Sequence, residues 1–180
     1  GCHMGSTTVT STTNYCGGIC GYNTNIVSEC TVAYSNISAT QYVGGINGYN
    51  TGTISNGATT FGAITASGSS SVYAGGIAGR NSGGTVSYCY STVSVTQTGS
   101  SSSSYIGGLV GSNSTGSKIE YSYSQGDVTA KGNYCGGLTG YNGAQITNTY
   151  AYGAVKSVGY YVGGLIGQQY SGTITNSYYL

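Results

Sequence analysis

The side chains that could perform acid–base chemistry are few in this chain. Its 180 residues include three Asp and Glu, four Lys and Arg, and one His. The charged residues are Glu29, Glu120, Asp127, Arg80, Lys118, Lys131 and Lys156. Enzymes that cleave polysaccharides use a carboxylate pair, in some cases with calcium, and only Glu120 and Asp127 lie near each other in sequence. We expect solvated surface charges, and the sequence predicts no catalytic residue, no metal site, no cofactor and no enzymatic activity.

The composition excludes further classes of function. Four basic residues cannot form the clustered patch that nucleic-acid binding requires. No apolar run approaches the ~20 residues of a membrane helix, so we expect no membrane insertion of this segment. Charged residues make up 4% of the chain and aromatic residues 12%, which is the opposite of the composition of a disordered protein.

A repeated element organises the chain. It reads Tyr-x-Gly-Gly-(Ile or Leu)-x-Gly, and its copies lie at 15–21, 42–48, 73–79, 105–111, 134–140 and 161–167. Successive copies are 27, 31, 32, 29 and 27 residues apart. We therefore interpret residues 7–180 as one array of repeats cut from a longer polypeptide. Residues 1–6 resemble the remnant of an expression tag.

Each repeat contains short β-branched segments bounded by Gly, Ser or Asn, which is typical of strands. One segment follows the Tyr, a second contains a Gly-Thr-Ile-Ser-Asn block such as 52–56, and a third precedes the next Tyr. Three short strands per repeat, without a helical pattern, predict an all-β fold. The expected architecture is a single parallel β-solenoid of about six coils.

Stacking the coils ~4.8 Å apart places equivalent residues in columns. Three apolar columns are predicted to point into the core. The first contains Ile19, Ile46, Ile77, Leu109, Leu138 and Leu165. The second contains Ile26, Ile54, Val86, Ile119, Ile146 and Ile174, and the third contains Cys16, Val43, Ala74, Ile106, Cys135 and Val162. Like charges would repel each other in such columns, which accounts for the low charge content.

The columns also restrict how the cysteines can pair. Cys16 and Cys135 are four coils apart, ~19 Å, whereas a disulfide needs Cα atoms ~4.4–6.8 Å apart. We expect Cys16, Cys30 and Cys135 to be small buried hydrophobic side chains. The alternative is a bridge within the first coil, from Cys16 or Cys20 to Cys30. Three thiols without a histidine are a weak zinc site.

The pattern Tyr-x-Gly-Gly-Leu-x-Gly-x-Asn, followed by Gly-x-Ile-x-Asn-x-Tyr, resembles the bacterial GLUG repeat family. The copies at 105–113 and 161–167 match it well, while Cys20, Asn47 and Arg80 depart from the usual residues. The resemblance implies an extracellular, multi-repeat protein that is secreted or held at a bacterial surface. Relatives accompany adhesin-like regions and some secreted immunoglobulin A peptidases, and the motif itself contains no catalytic residues.

Nine of the 20 tyrosines fall into two columns. The unbroken column, predicted to be a structural ladder, contains Tyr15, Tyr42, Tyr73, Tyr105, Tyr134 and Tyr161. The interrupted column, expected in an exposed turn, contains Tyr22, Tyr49 and Tyr141, with Arg80, Ser112 and Gln168 in the gaps. A companion column, expected to bond to turn backbone, contains Asn23, Asn50, Asn81, Asn113 and Asn142.

These observations favour a non-enzymatic repeat segment of a bacterial cell-surface or secreted protein, acting outside the cell as an adhesin stalk or adhesive surface. One alternative is a carbohydrate-binding module, in which Tyr22, Tyr49, Tyr141, Asn50 and Asn142 contact a host or bacterial glycan or a surface protein. Another is an accessory region of a secreted peptidase. Unpaired strand edges at the two ends also predict end-to-end self-association.

Overall fold

The chain winds into a stack of coils built only from strands and turns. The structure is a computed structural model that describes residues 1–180. Every strand pairing is parallel, and the strands form four sheets, named A to D in chain order. The predicted all-β parallel solenoid of about six coils is therefore confirmed. The chain contains no helix that could span a membrane.

Sheets B, C and D each receive one strand from every coil. Sheet B contains Thr8–Thr10, Asn36–Ala39, Ala63–Ala66, Ser94–Gln97, Val128–Ala130 and Val155–Ser157. Sheet C contains Tyr15–Gly17, Tyr42–Gly44, Val72–Gly75, Ser104–Gly107, Tyr134–Gly136 and Tyr161–Gly163. Sheet D contains Cys20–Asn23, Asn47–Asn50, Ala78–Asn81, Val110–Asn113, Thr139–Asn142 and Ile166–Gln169.

Sheet A has eleven strands because most coils cross it as two short pieces. They are His3–Gly5, Ile26–Ser28, Thr31–Ala33, Thr53–Ser55, Ala58–Thr60, Thr85–Ser87, Tyr90–Ser91, Lys118–Glu120, Tyr123–Ser124, Gln145–Ala151 and Ile174–Tyr179. A residue in the left-handed conformation separates the two pieces, for example Asn56 with φ 52° and Tyr88 with φ 53°. Asparagine tolerates this conformation best among residues with a side chain. The last residue of the Gly-Thr-Ile-Ser-Asn block is therefore the bend of sheet A.

The three strands predicted for each coil are present in sheets A, B and C, and sheet D adds a further strand. The glycine pair separates sheets C and D, so the Tyr-x-Gly-Gly element turns a corner. A Cβ atom at Gly108 would collide with the carbonyl oxygen of Gly137 in the next coil and would lie 3.0 Å from Cβ of Ser124 in sheet A. The corner needs glycine because the backbone of the next coil and the facing strand of sheet A both approach it closely.

The core is a narrow column of aliphatic side chains. In the central coils the first predicted column is fully buried, as Ile46, Ile77 and Leu109 show, and the third column is buried from Cys16 to Cys135. Val162, in the last coil, is 43% exposed because no further coil covers it. The first and third columns are confirmed.

The second column is wrong in the first coil. Ile26 aligns with Thr53, and Val27 aligns with the buried Ile54. Ile26 is consequently 68% exposed, while Val27 packs against the core. Successive side chains of a strand point to opposite faces, so a shift by one residue exchanges inside and outside. Ile26 and Val27 are both β-branched, so their types alone could not identify the inward residue.

This register can be tested by substitution. We expect Ile26→Thr, which introduces the residue found in the adjoining coil, to change the free energy of unfolding by less than about 0.5 kcal/mol. Val27→Ala should cost about 1 kcal/mol because it removes partly buried methyl groups. Urea denaturation of both variants measures the difference. A larger loss for the Ile26 variant would contradict the register.

The charged residues sit beside neutral neighbours in their columns. Lys118 aligns with Thr85 in one adjoining coil and with Gln145 in the other. The only salt bridge joins Nζ of Lys118 to Oε2 of Glu120 at 2.7 Å, within a single strand. The low charge content is consistent with repulsion between like charges stacked on neighbouring strands.

Candidate functional site

The first tyrosine row is the ladder on sheet C, and the structure confirms it. Its successive ring centroids are 5.1, 4.7, 4.6, 4.6 and 5.0 Å apart, in chain order. Four of the five ring pairs are parallel within 7°, and Tyr15 and Tyr42 are tilted by 31°. Neighbouring rings at this separation stabilise each other by about 0.5–1.5 kcal/mol per pair beyond their burial. The row therefore ties adjacent coils together along the surface.

The second tyrosine row lies in the strands of sheet D, not in a turn as the sequence suggested. Tyr22 aligns with Tyr49, which aligns with Arg80. Ser112 follows Arg80, and Tyr141 follows Ser112. The predicted order of the residues in this column is thus confirmed. The prediction that the column lies in a turn is wrong, because its residues lie in strands. The glycine pair before it bends the chain, and a new strand begins at once.

The two rows meet edge to face along the corner between sheets C and D. Tyr22 lies 5.4 Å from Tyr15 with an interplanar angle of 74°, and Tyr141 lies 6.1 Å from Tyr134 at 89°. Tyr22 remains 48% exposed. Rings fixed by such contacts lose little freedom when a ligand arrives, which favours binding. The corner therefore presents exposed aromatic side chains in fixed orientations.

The asparagine column is a buried hydrogen-bonded row. Nδ2 of Asn50 donates to Oδ1 of Asn81 at 2.9 Å, and Nδ2 of Asn81 donates to Oδ1 of Asn113 at 3.0 Å. Nδ2 of Asn50 also donates to the carbonyl oxygen of Gly52 at 3.0 Å, as the expected bond to turn backbone requires. The row runs inside the wall of the solenoid and joins the coils to one another.

Two of the residues predicted to contact a glycan are buried. Asn50 and Asn142 are 0% exposed. Nδ2 of Asn142 donates to the carbonyl oxygen of Ala144 at 3.0 Å and to Oε1 of Gln169 at 2.8 Å. A ligand at the surface cannot reach either amide, so the prediction that Asn50 and Asn142 contact a glycan is wrong. Tyr22, Tyr49 and Tyr141 stay a prediction as contact residues.

A notch interrupts the second tyrosine row where Ser112 replaces a ring. We define the notch by its lining residues, which are Tyr73, Arg80, Tyr105, Ser112, Ser114, Thr115 and Tyr141. Its volume is about 290 Å³. The small residue at Ser112 was visible in the sequence as a gap in the column. Sequence reasoning did not identify the contribution of Tyr73, Tyr105, Ser114 and Thr115, because it depends on how the two rows interlock.

Arg80 dominates the electrostatics of the notch. Its Nε donates to Oγ of Ser114 at 3.1 Å, and its Cζ lies 5.4 Å from the ring centroid of Tyr73 and 5.6 Å from that of Tyr49. These are cation–π distances. Burial raises the pKa of Tyr73 to about 12, and the charge of Arg80 opposes this rise. The positive field of the guanidinium therefore reaches into the notch.

A second depression, about 480 Å³ in volume, lies near the loops that follow sheet B. Its lining contains Thr12, Thr13, Asn14, Thr40, Gln41, Ser67, Gly68, Ser69 and Ser70. It is the larger of the two, but it has neither an aromatic ring nor a charge. A binding site combines apolar surface with a few directed polar groups, so the notch is the stronger candidate.

The carboxylates do not form a pair. Oε2 of Glu120 is bound to Lys118, and Oδ1 of Asp127 accepts a hydrogen bond from the backbone N–H of Ala154 at 2.9 Å. No group of three His, Cys, Asp or Glu side chains could hold a metal ion. The arrangement brings together no acid and base around a common reacting atom.

All six cysteines are free. Cys16, Cys30 and Cys135 are buried, as predicted, and the alternative bridge to Cys30 is not formed. Sγ of Cys30 instead donates to the carbonyl oxygen of Ser28 at 3.2 Å. Burial raises the pKa of Cys135 to about 12. This thiol fills space in the core.

Thiol labelling tests this assignment. Burial also raises the pKa of Cys89 to about 12, so its reactive thiolate is scarce at pH 8. In the native protein at pH 8 we expect Ellman's reagent to label the exposed Cys2 quickly and to spare Cys89 and Cys135. Labelling in guanidinium chloride should then reach all six. Fast labelling of Cys135 in the native state would contradict its buried position.

Three segments match the family model of the GLUG motif, namely residues 70–96, 102–129 and 158–178. They contain the third, fourth and sixth copies of the repeated element. The chain is also similar to the crystal structure of a candidate immunoglobulin A1 protease from Bacteroides ovatus. The TM-score is 0.77 at 24% identity, and the match covers 98% of this chain and 57% of that chain. At this identity the likeness establishes the fold. No curated protein matches the chain significantly.

Proposed function

We propose that this chain, a parallel β-solenoid in which three segments match the GLUG motif, is a non-enzymatic segment of a bacterial cell-surface or secreted protein. It acts outside the cell as a stalk that carries an adhesive surface. A stalk must keep its shape over its length and must expose side chains at regular intervals. The stacked coils meet both requirements.

The observation that carries this proposal is the unbroken register of the coils. A chain of backbone hydrogen bonds links equivalent glycines, with N···O distances of 3.1, 3.1 and 2.9 Å, from Gly45 through Gly76 and Gly108 to Gly137. The tyrosine and asparagine rows add side-chain links in the same direction. Each coil is held mainly by its neighbours, so length grows by adding coils and not by enlarging the core.

Localisation and attachment test the proposal together. In the bacterium that makes the parent protein, antibodies against residues 7–180 should label intact cells or the culture medium. Deletion of the solenoid should reduce attachment to host cells and leave any catalytic activity of the parent unchanged. Labelling only after cell lysis would overturn the location, and unchanged attachment would overturn the adhesive role.

A deletion in register provides the matched control. Gly75 aligns with Gly107, so removal of residues 76–107 joins two coils at equivalent positions. This variant should fold, be one strand spacing shorter, ~4.8 Å, and still appear at the surface. Removal of residues 76–108 also deletes one glycine of the pair at the joined corner, where the backbone packs tightly, and should therefore be less stable than the deletion in register.

Contact with carbohydrate is a second candidate function, favoured by the second tyrosine row. Tyr22 and Tyr49 stack at 5.1 Å with an interplanar angle of 5°. Sugar rings bind to aromatic side chains through their apolar C–H groups and through hydrogen bonds to hydroxyls. Rings that are already fixed in place bind with a smaller entropy cost.

A glycan array tests this second candidate. Tyr49→Ala and Tyr141→Ala should each reduce binding of the glycans that the wild type retains. Tyr150→Ala is the matched control, because Tyr150 stacks on Tyr123 at 4.7 Å in a different row on sheet A. Absence of binding by the wild type, or equal loss with the control, would overturn the candidate.

An accessory role beside a peptidase is a third alternative, supported by the name of the similar Bacteroides ovatus protein. The chain spans just over half the length of that protein. The parent sequence would decide this alternative, because a zinc-protease His-Glu-x-x-His motif in another domain would support it. A parent that contains no peptidase domain would overturn it.

A further inference from the structure

The notch lies where one ring is missing from the second tyrosine row. Arg80 and Tyr141 both align with Ser112, from the coils on either side of it. Their strands are therefore two spacings apart, about 9.5 Å. A tyrosine at position 112 would fill this interval, as Tyr49 fills the position between Tyr22 and Arg80. With serine there, Ser112 is only 3% exposed and forms the floor of the notch, which leaves room for one ligand ring above it, between the guanidinium of Arg80 and the phenol of Tyr141.

The guanidinium in the notch lacks an anionic partner. Its Nε–H is bound to Ser114, and the two terminal amino groups have no acceptor in the protein. The only salt bridge of the chain involves Lys118 and Glu120. An arginine has five N–H donors in a planar fork that matches a carboxylate or a sulfate in a two-point contact. The two terminal amino groups of Arg80, which have no acceptor in the protein, supply the pair of donors that such a contact uses.

The residues around Arg80 hold its guanidinium in place, and they indicate the shape and polarity of the rest of the ligand. The rings of Tyr73 and Tyr49 hold the side chain by cation–π contacts, so little freedom is lost when an anion binds. Hydroxyl-bearing Ser112, Ser114 and Thr115 line the remainder of the notch, with the ring of Tyr141 on one side. This lining suits a ring that is apolar on one face and carries hydroxyls around its edge.

We propose that the notch binds one acidic sugar unit, whose carboxylate or sulfate pairs with Arg80 while its ring contacts Tyr141. The proposal rests on the proposed contact with carbohydrate and names the class of sugar for one place in it. Charged glycans of this kind then bind at a defined coil, while neutral glycans contact the tyrosine row without using Arg80.

Matched pairs of glycans test the notch. The probes are sialyllactose against lactose, an oligoglucuronate against its neutral glucose counterpart, and a 6-sulfated galactoside against its unsulfated form. Isothermal titration with the wild type should show at least a tenfold preference for one or more acidic members. The preferred pair identifies whether the anion is a sialic acid, a uronic acid or a sulfate. Equal affinity within all three pairs would overturn the notch proposal.

Variants connect the preference to the notch. Arg80→Gln should remove the preference, and Ser112→Tyr should do the same by filling the notch with a residue that this column already accepts. Lys156→Gln, which removes a positive charge from sheet B, should leave the preference unchanged. Far-ultraviolet circular dichroism establishes that each variant is folded. A folded Arg80→Gln variant that keeps the preference would overturn the proposal.

The outcomes also separate this inference from the function on which it rests. Neutral glycans that bind, and that depend on Tyr49, without an acidic preference would overturn the notch alone. Failure of every glycan to bind would overturn the contact with carbohydrate itself. Acetate or sulfate competing at the same concentration as the acidic sugar would show that the sugar ring contributes nothing and would overturn the sugar assignment.

Discussion

Gly75→Ala is expected to destabilise the solenoid by about 3 kcal/mol or more, although it adds one methyl group. The new Cβ would lie 2.7 Å from the carbonyl oxygen of Leu109 and 2.7 Å from Cα of Val110, and it would also meet the carbonyl of Ala78. All three obstacles are backbone atoms, so no rotamer change relieves the clash. The clash involves two coils at once. Urea denaturation followed by circular dichroism measures the loss.

Gly57→Ala is the matched control for this prediction. Gly57 is also buried, but the nearest atom to a Cβ there is Sγ of Cys89, at 3.4 Å, which is ordinary van der Waals contact. We expect a change of less than about 1 kcal/mol. Similar losses at the two positions would show that close backbone approach is not the reason for the glycines of the repeated element.

Asn81→Asp should cost about 3 kcal/mol or more at neutral pH, although the two side chains have the same shape. Asn81 is fully buried, and its Nδ2 donates to the carbonyl oxygen of Gly84 at 2.9 Å and to Oδ1 of Asn113 at 3.0 Å. A carboxylate would place an oxygen against these two acceptors and would bury a charge without a cation beside it. Thermal and urea unfolding at pH 7 measure the loss.

The pH dependence of this variant has a defined sign. Protonation of the new carboxyl removes the buried charge and supplies one donor, so the loss of stability should shrink as the pH falls. Asn25→Asp serves as the control, because Asn25 is exposed and should change stability by less than about 0.5 kcal/mol. If the Asn81→Asp variant lost the same free energy of unfolding at pH 7 and at pH 4, this would contradict a buried position lined by hydrogen-bond acceptors.

Repetition made the axial order of this protein predictable. Once six copies of one element are aligned, equivalent residues must stack, and the ladder from Tyr15 to Tyr161 follows without knowledge of the path of the chain between copies. The same alignment gave the buried column that contains Ile77 and Leu109. A repeat fixes which residues are neighbours in adjoining coils, because the strands pair in register.

Position within a coil was harder to infer. The alignment could not distinguish Ile26 from Val27, and it placed the row of Tyr22 in a turn when it lies in a strand. It also treated Asn50 as a surface residue, although Asn50 is buried one residue after the exposed row. In each case the outcome depends on where the backbone bends. The glycine corners decide this by close contacts with the backbone of the adjoining coil and with sheet A.

The sequence by itself therefore determined the strand class, the parallel stacking, the ladder and the scarcity of charge, because each follows from identical residues recurring one coil apart. Only the tertiary structure decided how the two tyrosine rows interlock, which amides are buried, and that Arg80 and Tyr141 enclose a notch. These features join residues from different sheets and different coils. Their geometry is set by the bend at each glycine corner, and a linear pattern does not encode the angle of that bend.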